Sequence, residues 1–267
     1  IDAWRRERLE RLTSEDGWLS LTGLFWLAPG ENTVGSDPAS DVVLPAERAP
    51  ARLGVIRLCA GVAVFEAGSA PGLRVDGLAA VGPVALRTDA SGAPTVLSIG
   101  SLRLHVVERG GRMAVRARDR ENPARRCLGT IPVFSVDPAW RFEARFQAYE
   151  PMKTIPVTSI LGTVEPERSP GSVSFRAGGR EFSLDPILEH GEIDYWIIFG
   201  DLTNGIDTYG GGRFVYVPPP VAGRTVLDFN KAYNPPCVFT PYSTCPLPPG
   251  QNRLPIRVEA GERAYPA

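Results

Sequence analysis

The sequence of 267 residues predicts a mainly β protein in which one N-terminal helix precedes two β-rich parts. Glycine (28 residues) and proline (26 residues) are frequent and spread along the chain, which is typical of short strands joined by turns. Only one segment, near the N-terminus, has the pattern of a helix. The hydrophobic fraction of 43% and the length allow a substantial core, in two domains or in one large β-rich domain.

The first element is a helix predicted over residues 3–12, with Asp2 as its N-terminal cap. Glutamates interrupt the basic residues of this helix, which predicts a solvated polar face (Arg5, Arg6, Arg8 and Arg11). An aromatic segment follows at residues 18–26, and we expect it to anchor the helix to the protein. Residues 1–30 are therefore predicted to form an N-terminal helix with an anchoring strand.

Residues 31–119 are predicted to form a β-sandwich. Short apolar segments alternate there with Gly, Pro, Asp or Ser, and this regular spacing of strands and turns is typical of sandwich folds. The predicted strands are residues 41–44, 55–58, 62–65, 73–75, 84–87, 95–99, 102–107 and 112–116.

Residues 120–267 are predicted to form a second β-sandwich or partial barrel that carries the functional site. Gly178-Gly179 predicts a hairpin turn between two strands, and residues 194–199 and 226–230 predict further strands. The part ends in a loop at residues 227–255 that contains seven prolines and two cysteines. Because prolines fix the path of a loop and irregular loops on a rigid scaffold commonly carry function, this loop marks the expected site.

Composition excludes several classes of function. The net charge of −1 argues against nucleic-acid binding, and no apolar run is long enough to span a membrane. No signal peptide is visible, and the four cysteines form no C-x-x-C pair, so we expect a cytoplasmic protein. With only His105 and His190 as histidines, no metal site and no cofactor site is predicted.

Cys237 and Cys245 form the first candidate site. A cysteine in a polar loop becomes a nucleophile when its pKa is lowered, and Cys237 is the predicted nucleophile. The same two residues are also consistent with buried thiols or with a disulfide that closes the loop. The sequence leaves these three alternatives open.

A second candidate site consists of polar residues in the same part of the chain. Asp228 is the predicted general base, and Arg213 has the fork geometry that binds a carboxylate or phosphate. The remaining predicted ligand-binding residues carry hydroxyl, amide or carboxyl groups that suit a small polar ligand: Asp201, Tyr209, Asn230, Tyr233 and Asn234. The alternative is a structural one, in which these side chains form turns and hold the loop.

The glycine and strand positions of residues 31–119 resemble those of a forkhead-associated domain. The matching segments are Gly35-Ser36-Asp37-Pro38, Asp41-Val42-Val43-Leu44, Val75-Asp76-Gly77 and Ser98-Ile99-Gly100. That family reads phosphothreonine through an arginine after the first glycine and a Ser-x-x-His motif. Here Ser36 and Ala49-Pro50-Ala51-Arg52 stand at those positions, so the resemblance implies the fold and not phosphopeptide binding.

From Trp4 to Ala260 the sequence resembles the bacterial family catalogued as domain of unknown function 1684. The resemblance is carried by five segments, at residues 17–27, 35–36, 134–137, 199–216 and 227–254. The last two are long and non-repetitive. The family implies no reaction.

Two functional hypotheses follow from the sequence. The first is an enzyme, a hydrolase or other acid–base catalyst, that acts on a small polar molecule bound by the 199–216 and 227–254 segments. The alternative is a non-catalytic module that binds a ligand or, through its forkhead-associated-like N-terminal half, a protein partner.

Overall fold

The computed structural model describes residues 1–189 and 191–266, and its chain divides into two compact units. The N-terminal unit comprises Glu10–Leu128, and the C-terminal unit comprises Ile1–Leu9 together with Gly129–Ala267. With 44% of residues in strands and 12% in helical segments, the prediction of a mainly β protein with one N-terminal helix is confirmed. The three-part division predicted from the sequence stays a prediction.

The predicted helix is present as α1 (Asp2–Thr13). The prediction of a solvated basic face is wrong for Arg8, which is buried with only 7% of its surface exposed. Its guanidinium forms an ion pair with the buried Glu262, and this pairing compensates for the loss of hydration. The compensating carboxylate lies 254 residues away in the chain, beyond the reach of a local sequence pattern.

The N-terminal unit consists of two sheets. Its strands are β1 (Leu21–Trp26), β2 (Gly30–Gly35), β3 (Val42–Val43), β4 (Gly54–Cys59), β5 (Val62–Ala67), β6 (Arg74–Val75), β7 (Leu78–Ala79), β8 (Val84–Leu86), β9 (Leu97–Ile99), β10 (Leu102–Arg109) and β11 (Arg112–Asp119). One sheet has the order β1-β11-β10-β9-β6-β7 and the other β3-β2-β4-β5-β8. Every strand predicted between residues 41 and 116 overlaps an observed strand, because alternating apolar residues and turn glycines are local signals.

One apolar cluster joins these two sheets. Ile56 and Phe65 from one sheet and Leu104 and Val115 from the other are at most 1% exposed and belong to the same core. Burial of apolar side chains between two sheet faces is the defining feature of a β-sandwich.

The C-terminal unit contains a four-stranded antiparallel sheet and a separate hairpin. Its strands are β12 (Arg141–Thr158), β13 (Val164–Ala177), β14 (Arg180–Leu184), β15 (Tyr195–Phe199), β16 (Arg213–Val217) and β17 (Arg224–Asp228). The sheet order is β14-β13-β12-β17, and β15 pairs with β16. The predicted turn at Gly178-Gly179 joins β13 to β14, with both glycines at positive φ.

Aromatic rings fill the core of this unit. Phe229 is fully buried and contacts Phe175 at 5.5 Å and Phe199 at 5.1 Å between ring centroids. These rings belong to different strands, so Phe229 ties the start of the proline-rich loop to the sheets.

The proline-rich loop is irregular, as predicted, and contains short 3-10 turns at Phe229–Lys231, Pro236–Val238 and Gly250–Asn252. The strand predicted over residues 226–230 ends at Asp228, because the Asp228 carboxylate accepts the backbone N–H of Asn230 and starts the first of these turns. Among the described residues, no helix has the length and apolar character that a membrane crossing requires.

Candidate functional site

Cys237 and Cys245 lie together in the C-terminal unit, and both are free thiols. The backbone N–H of Cys237 donates to Sγ of Cys245 at 3.1 Å, and the Cys237 thiol lies 3.4 Å from the hydroxyl of Tyr209. Cys245 is 4% exposed, whereas Cys237 is partly exposed. The structure thus brings together two of the predicted site residues, Tyr209 and Cys237, from loops 28 residues apart.

The two thiols have opposite proton affinities. A hydrogen bond from Cys245 and one from Tyr209 stabilise the Cys237 thiolate and lower the pKa of Cys237 to about 7. The pKa of Cys245 is raised, first because its proton is shared with Cys237 and second because the thiol is buried. Burial and the neighbouring thiolate also raise the pKa of Tyr209, which keeps its hydroxyl available as a donor. The pair therefore holds one accessible thiolate beside one protonated thiol near neutral pH.

Arg213 and Asp201 form a buried ion pair. The guanidinium donates to Asp201 Oδ2 at 2.8 Å and to the backbone carbonyls of Val258, Ala260 and Glu262. Arg213 is fully buried, so both of its terminal amino groups are occupied by the protein itself. Its role is to hold the C-terminal segment against β16, and ligand binding by Arg213 forms no part of the function proposed below.

The carboxylate of Asp201 is also occupied by hydrogen bonds within the protein. Its Oδ1 accepts the backbone N–H and the hydroxyl of Thr203 at 2.8 and 2.6 Å, and the backbone N–H of Val258 at 3.2 Å. This is an Asx turn, the structural alternative considered for this residue type.

Asp228 and Asn230 form a separate hydrogen-bonded group. Both the backbone N–H and the side-chain amide of Asn230 donate to Asp228 Oδ1 at 3.0 Å. The same amide group pairs with both backbone groups of Asp137, so Asn230 fixes the chain just before β12. Catalysis by Asp228 as a general base stays a prediction.

Asn234 and Tyr233 meet at Arg8. The Arg8 guanidinium donates to the backbone carbonyl of Asn234 at 2.8 Å and lies 4.6 Å from the centre of the Tyr233 ring. The backbone N–H of Asn234 donates to Glu262 Oε2 at 2.7 Å. Burial raises the pKa of Glu262, and the neighbouring Arg8 opposes that rise. Each of these two buried charges therefore compensates the other.

A row of aromatic side chains was not identified from the sequence. Trp196 and Tyr216 are direct partners across β15 and β16, and Tyr233 lies beside Tyr216 with ring planes 13° apart. The hydroxyl of Tyr216 donates to the carboxylate of Glu189. Cross-strand pairing was the missing signal, since it appears only once the register of the strands is known.

The side chain of Asn252 links the backbone at Asp185 to the backbone of β15. Its amide oxygen accepts the backbone N–H of Asp185 at 2.7 Å, and its amide nitrogen donates to the carbonyls of Asp185 and Ile198 at 2.9 and 3.0 Å. The side chain is fully buried and satisfied on both sides.

Among the described residues, no group of three or more His, Cys, Asp or Glu side chains is placed to hold a metal ion. His105 lies on β10 in the N-terminal unit, and burial with nearby Arg116 and Arg118 lowers its pKa to about 4. The other histidine, His190, lies outside the described residues.

The fold and the segments that build this site define a protein family. A family model described as Protein of unknown function (DUF1684) matches residues 128–263, which covers the thiol pair, the Arg213–Asp201 ion pair and the aromatic row. The chain belongs to this family. No curated protein matches the chain.

Solved structures similar to the chain cover parts of it. The uncharacterized protein from gene locus rrnAC0354 of Haloarcula marismortui is 28% identical over 52% of this chain and 78% of its own, with a TM-score of 0.44. Two forkhead-associated (FHA) domains are 18% identical over 36% of this chain, with TM-scores of 0.25. The first of these domains comes from a structural and functional analysis of phosphothreonine-dependent FHA domain interactions, and the match covers 92% of its chain. The second is the FhaA FHA domain, of which the match covers 97%. At these TM-scores the likeness is partial and does not extend to function.

Proposed function

We propose that the C-terminal unit carries a thiol–disulfide active site in which Cys237 is the nucleophile and Cys245 the resolving thiol. The substrate class is a small polar disulfide. The observation that carries the proposal is the proximity of the two free thiols, one partly exposed and one buried, with the backbone N–H of Cys237 donating to Sγ of Cys245 at 3.1 Å.

The division of roles follows from access and proton affinity. An attacking thiol needs contact with solvent and a pKa near the ambient pH, and Cys237, with a pKa of about 7, meets both conditions. Cys245 is buried and keeps its proton, so it does not compete for the first attack.

The proposed reaction balances in two steps. The Cys237 thiolate attacks one sulfur of the substrate disulfide, forms a mixed disulfide with that half, and releases the other half as a thiolate. The released thiolate takes a proton from Cys245, whose sulfur then attacks the sulfur of Cys237 and displaces the second half of the substrate. Two electrons pass from the dithiol to the substrate, and a Cys237–Cys245 disulfide remains. Recycling by a cellular thiol requires a reducing compartment, and we propose the cytoplasm.

Trapping the intermediate tests the proposal. In protein that carries Cys59→Ser and Cys127→Ser, 2-hydroxyethyl disulfide is expected to convert both remaining thiols into one intramolecular disulfide, a loss of about 2 Da. With Cys245→Ala added, a stable mixed disulfide at Cys237 is expected. With Cys237→Ala added instead, Cys245 is expected to stay unmodified. Mixed disulfides formed equally at Cys237 and Cys245 in the two single-thiol variants would overturn the proposal. Absence of any reaction of either thiol before the protein unfolds would also overturn it.

A cysteine-dependent hydrolase is the second candidate, favoured by the Tyr209 hydroxyl at 3.4 Å from Cys237 Sγ. When the acyl group of a substrate passes to Cys237, that hydroxyl is the proton donor nearest the nucleophile, and its proton can go to the leaving group. Turnover of p-nitrophenyl acetate that is lost in Cys237→Ala and retained in Cys245→Ala supports this candidate. The thiol–disulfide proposal predicts no ester turnover beyond a single acylation of Cys237.

A further inference from the structure

The aromatic row of the C-terminal unit has a consistent geometry. It consists of Trp196, Tyr216 and Tyr233, with successive ring centroids 6.5 and 6.1 Å apart and planes inclined by 22° and 13°. Directly overlapped rings would lie about 3.5–4 Å apart. Each ring is therefore offset from the next, and part of each face is left uncovered. Trp196 and Tyr216 are each partly exposed, whereas Arg8 covers part of the Tyr233 ring.

Two further side chains bound this row. Trp4 of α1 lies 6.3 Å from Tyr233 with its plane inclined by 52°, which closes one end. Glu189 accepts a hydrogen bond from Tyr216 at the other side. The row thus combines electron-rich ring faces with one carboxylate.

In the part of the chain that the structure describes, no positively charged side chain compensates the carboxylate of Glu189. Partial burial raises the pKa of Glu189, the Tyr216 hydrogen bond opposes this rise, and Glu192 adds to it. Among the described residues, no lysine or arginine forms an ion pair with it.

The rings accept cations elsewhere in the same cluster. The Arg8 guanidinium lies 4.6 Å from the centre of the Tyr233 ring, within the distance at which a cation is attracted to the face of an aromatic ring. The charge of Arg8 is neutralised by Glu262, so it does not repel a second cation nearby.

We propose that Trp196, Tyr216 and Glu189 form a binding site for a small organic cation of the alkylated ammonium type. The ring faces of Trp196 and Tyr216 would contact the alkyl groups, and the Glu189 carboxylate would supply the counter-charge. Alkylated ammonium groups are bound by aromatic side chains in this way because their charge is spread over a weakly hydrated surface. This site is independent of the thiol pair and of the reaction proposed for it.

Titration with tetramethylammonium chloride tests the proposal, with tert-butanol as a neutral molecule of the same shape and sodium chloride at matched ionic strength. Saturation-transfer NMR reports the contact, and the dissociation constant follows from the titration. We expect saturable binding of tetramethylammonium and none of tert-butanol.

Three variants define which side chains carry the binding. Glu189→Gln is expected to weaken binding by about tenfold, since the counter-charge is lost while the shape is kept. Glu181→Gln, an exposed glutamate on β14, is the matched control and is expected to change nothing. Tyr216→Phe keeps the ring and removes the hydrogen bond to Glu189, so it is expected to weaken binding without loss of the fold.

Three results would overturn the proposal: equal binding of tert-butanol, an unchanged affinity in Glu189→Gln, or the absence of saturation. Because a choline headgroup carries the same cation, cosedimentation with phosphatidylcholine vesicles is measured in parallel. We expect none, and cosedimentation without binding of free tetramethylammonium would also overturn a site for a small molecule.

Discussion

Replacement of Arg213 by methionine is expected to destabilise the C-terminal unit strongly. The change removes four hydrogen bonds, one to Asp201 and three to backbone carbonyls of the C-terminal segment. Methionine fills a similar volume without a charge, so the effect reports on the lost interactions more than on a cavity.

The magnitude follows from the burial of the ion pair. Removing one partner of a buried pair leaves the other charge uncompensated and costs about 3–5 kcal/mol. Asp201 keeps its hydrogen bonds from Thr203 and Val258, which place the loss near the middle of that range. We therefore expect about 4 kcal/mol, a decrease of the folding constant by about a thousandfold. Adding Asp201→Asn removes the orphaned charge and is expected to restore about 1 kcal/mol or more.

Urea unfolding followed by tryptophan fluorescence measures this effect. The two units need not unfold together, so Trp18→Phe and Trp26→Phe leave only the tryptophans of the C-terminal unit as reporters. Arg224→Met is the matched control, because Arg224 is exposed and its pairing with Glu143 at 4.0 Å is expected to contribute less than about 1 kcal/mol. A loss below about 1 kcal/mol in Arg213→Met, similar to the control, would refute the structural role assigned to Arg213.

Three further predictions concern single side chains. Cys245→Ala is expected to raise the pKa of Cys237 from about 7 towards that of a free thiol, measured by the pH dependence of alkylation; an unchanged value would exclude Cys245 as the cause. For His105 the folded-state pKa of about 4 lies below the unfolded value of 6.5, so the stability that it contributes is present above pH 6.5 and decreases towards pH 4. Between pH 7 and pH 4.5 the free energy of unfolding of the N-terminal unit, measured by urea titration, is expected to fall by about 2.5 kcal/mol more in the unmodified protein than in His105→Gln. Equal decreases in the two proteins would contradict this. Asn252→Ala is expected to cost about 2–4 kcal/mol, because it strands both backbone groups of Asp185 in the interior, and a change below 1 kcal/mol would show that water replaces the side chain.

The strands could be predicted because their signals are local. Apolar alternation and turn glycines located the hairpin at Gly178-Gly179 and all the predicted strands of the N-terminal unit. These patterns depend on neighbours within a few residues, and the sequence displays such neighbours directly.

The polar residues could be located but not assigned. The same polar side chain can bind a ligand or form hydrogen bonds that hold the fold together. Which of the two it does depends on partners far away in the sequence. Arg213 finds its carbonyl partners 45 to 49 residues away. Arg8 finds Glu262 at the other end of the sequence. A local pattern contains neither distance, so the role of each arginine had to come from the fold.

The thiol pair shows an intermediate case. The sequence shows the position of both cysteines in the loop and allows three states for them: a reactive thiol, buried thiols or a disulfide. Cys245 contributes most to the lowered pKa of Cys237, and Tyr209 adds to it through a contact that depends on how the two loops meet.

The rate of alkylation of Cys237 between pH 5 and pH 10 tests the central claim most directly. Iodoacetamide is used on folded protein that carries Cys59→Ser and Cys127→Ser, and modified peptides are identified by mass. We predict that Cys237 reacts first and that its rate is half-maximal near pH 7, while Cys245 stays protected. A half-maximal rate at or above pH 8.5, or no labelling of Cys237 before unfolding, would contradict an active-site thiolate.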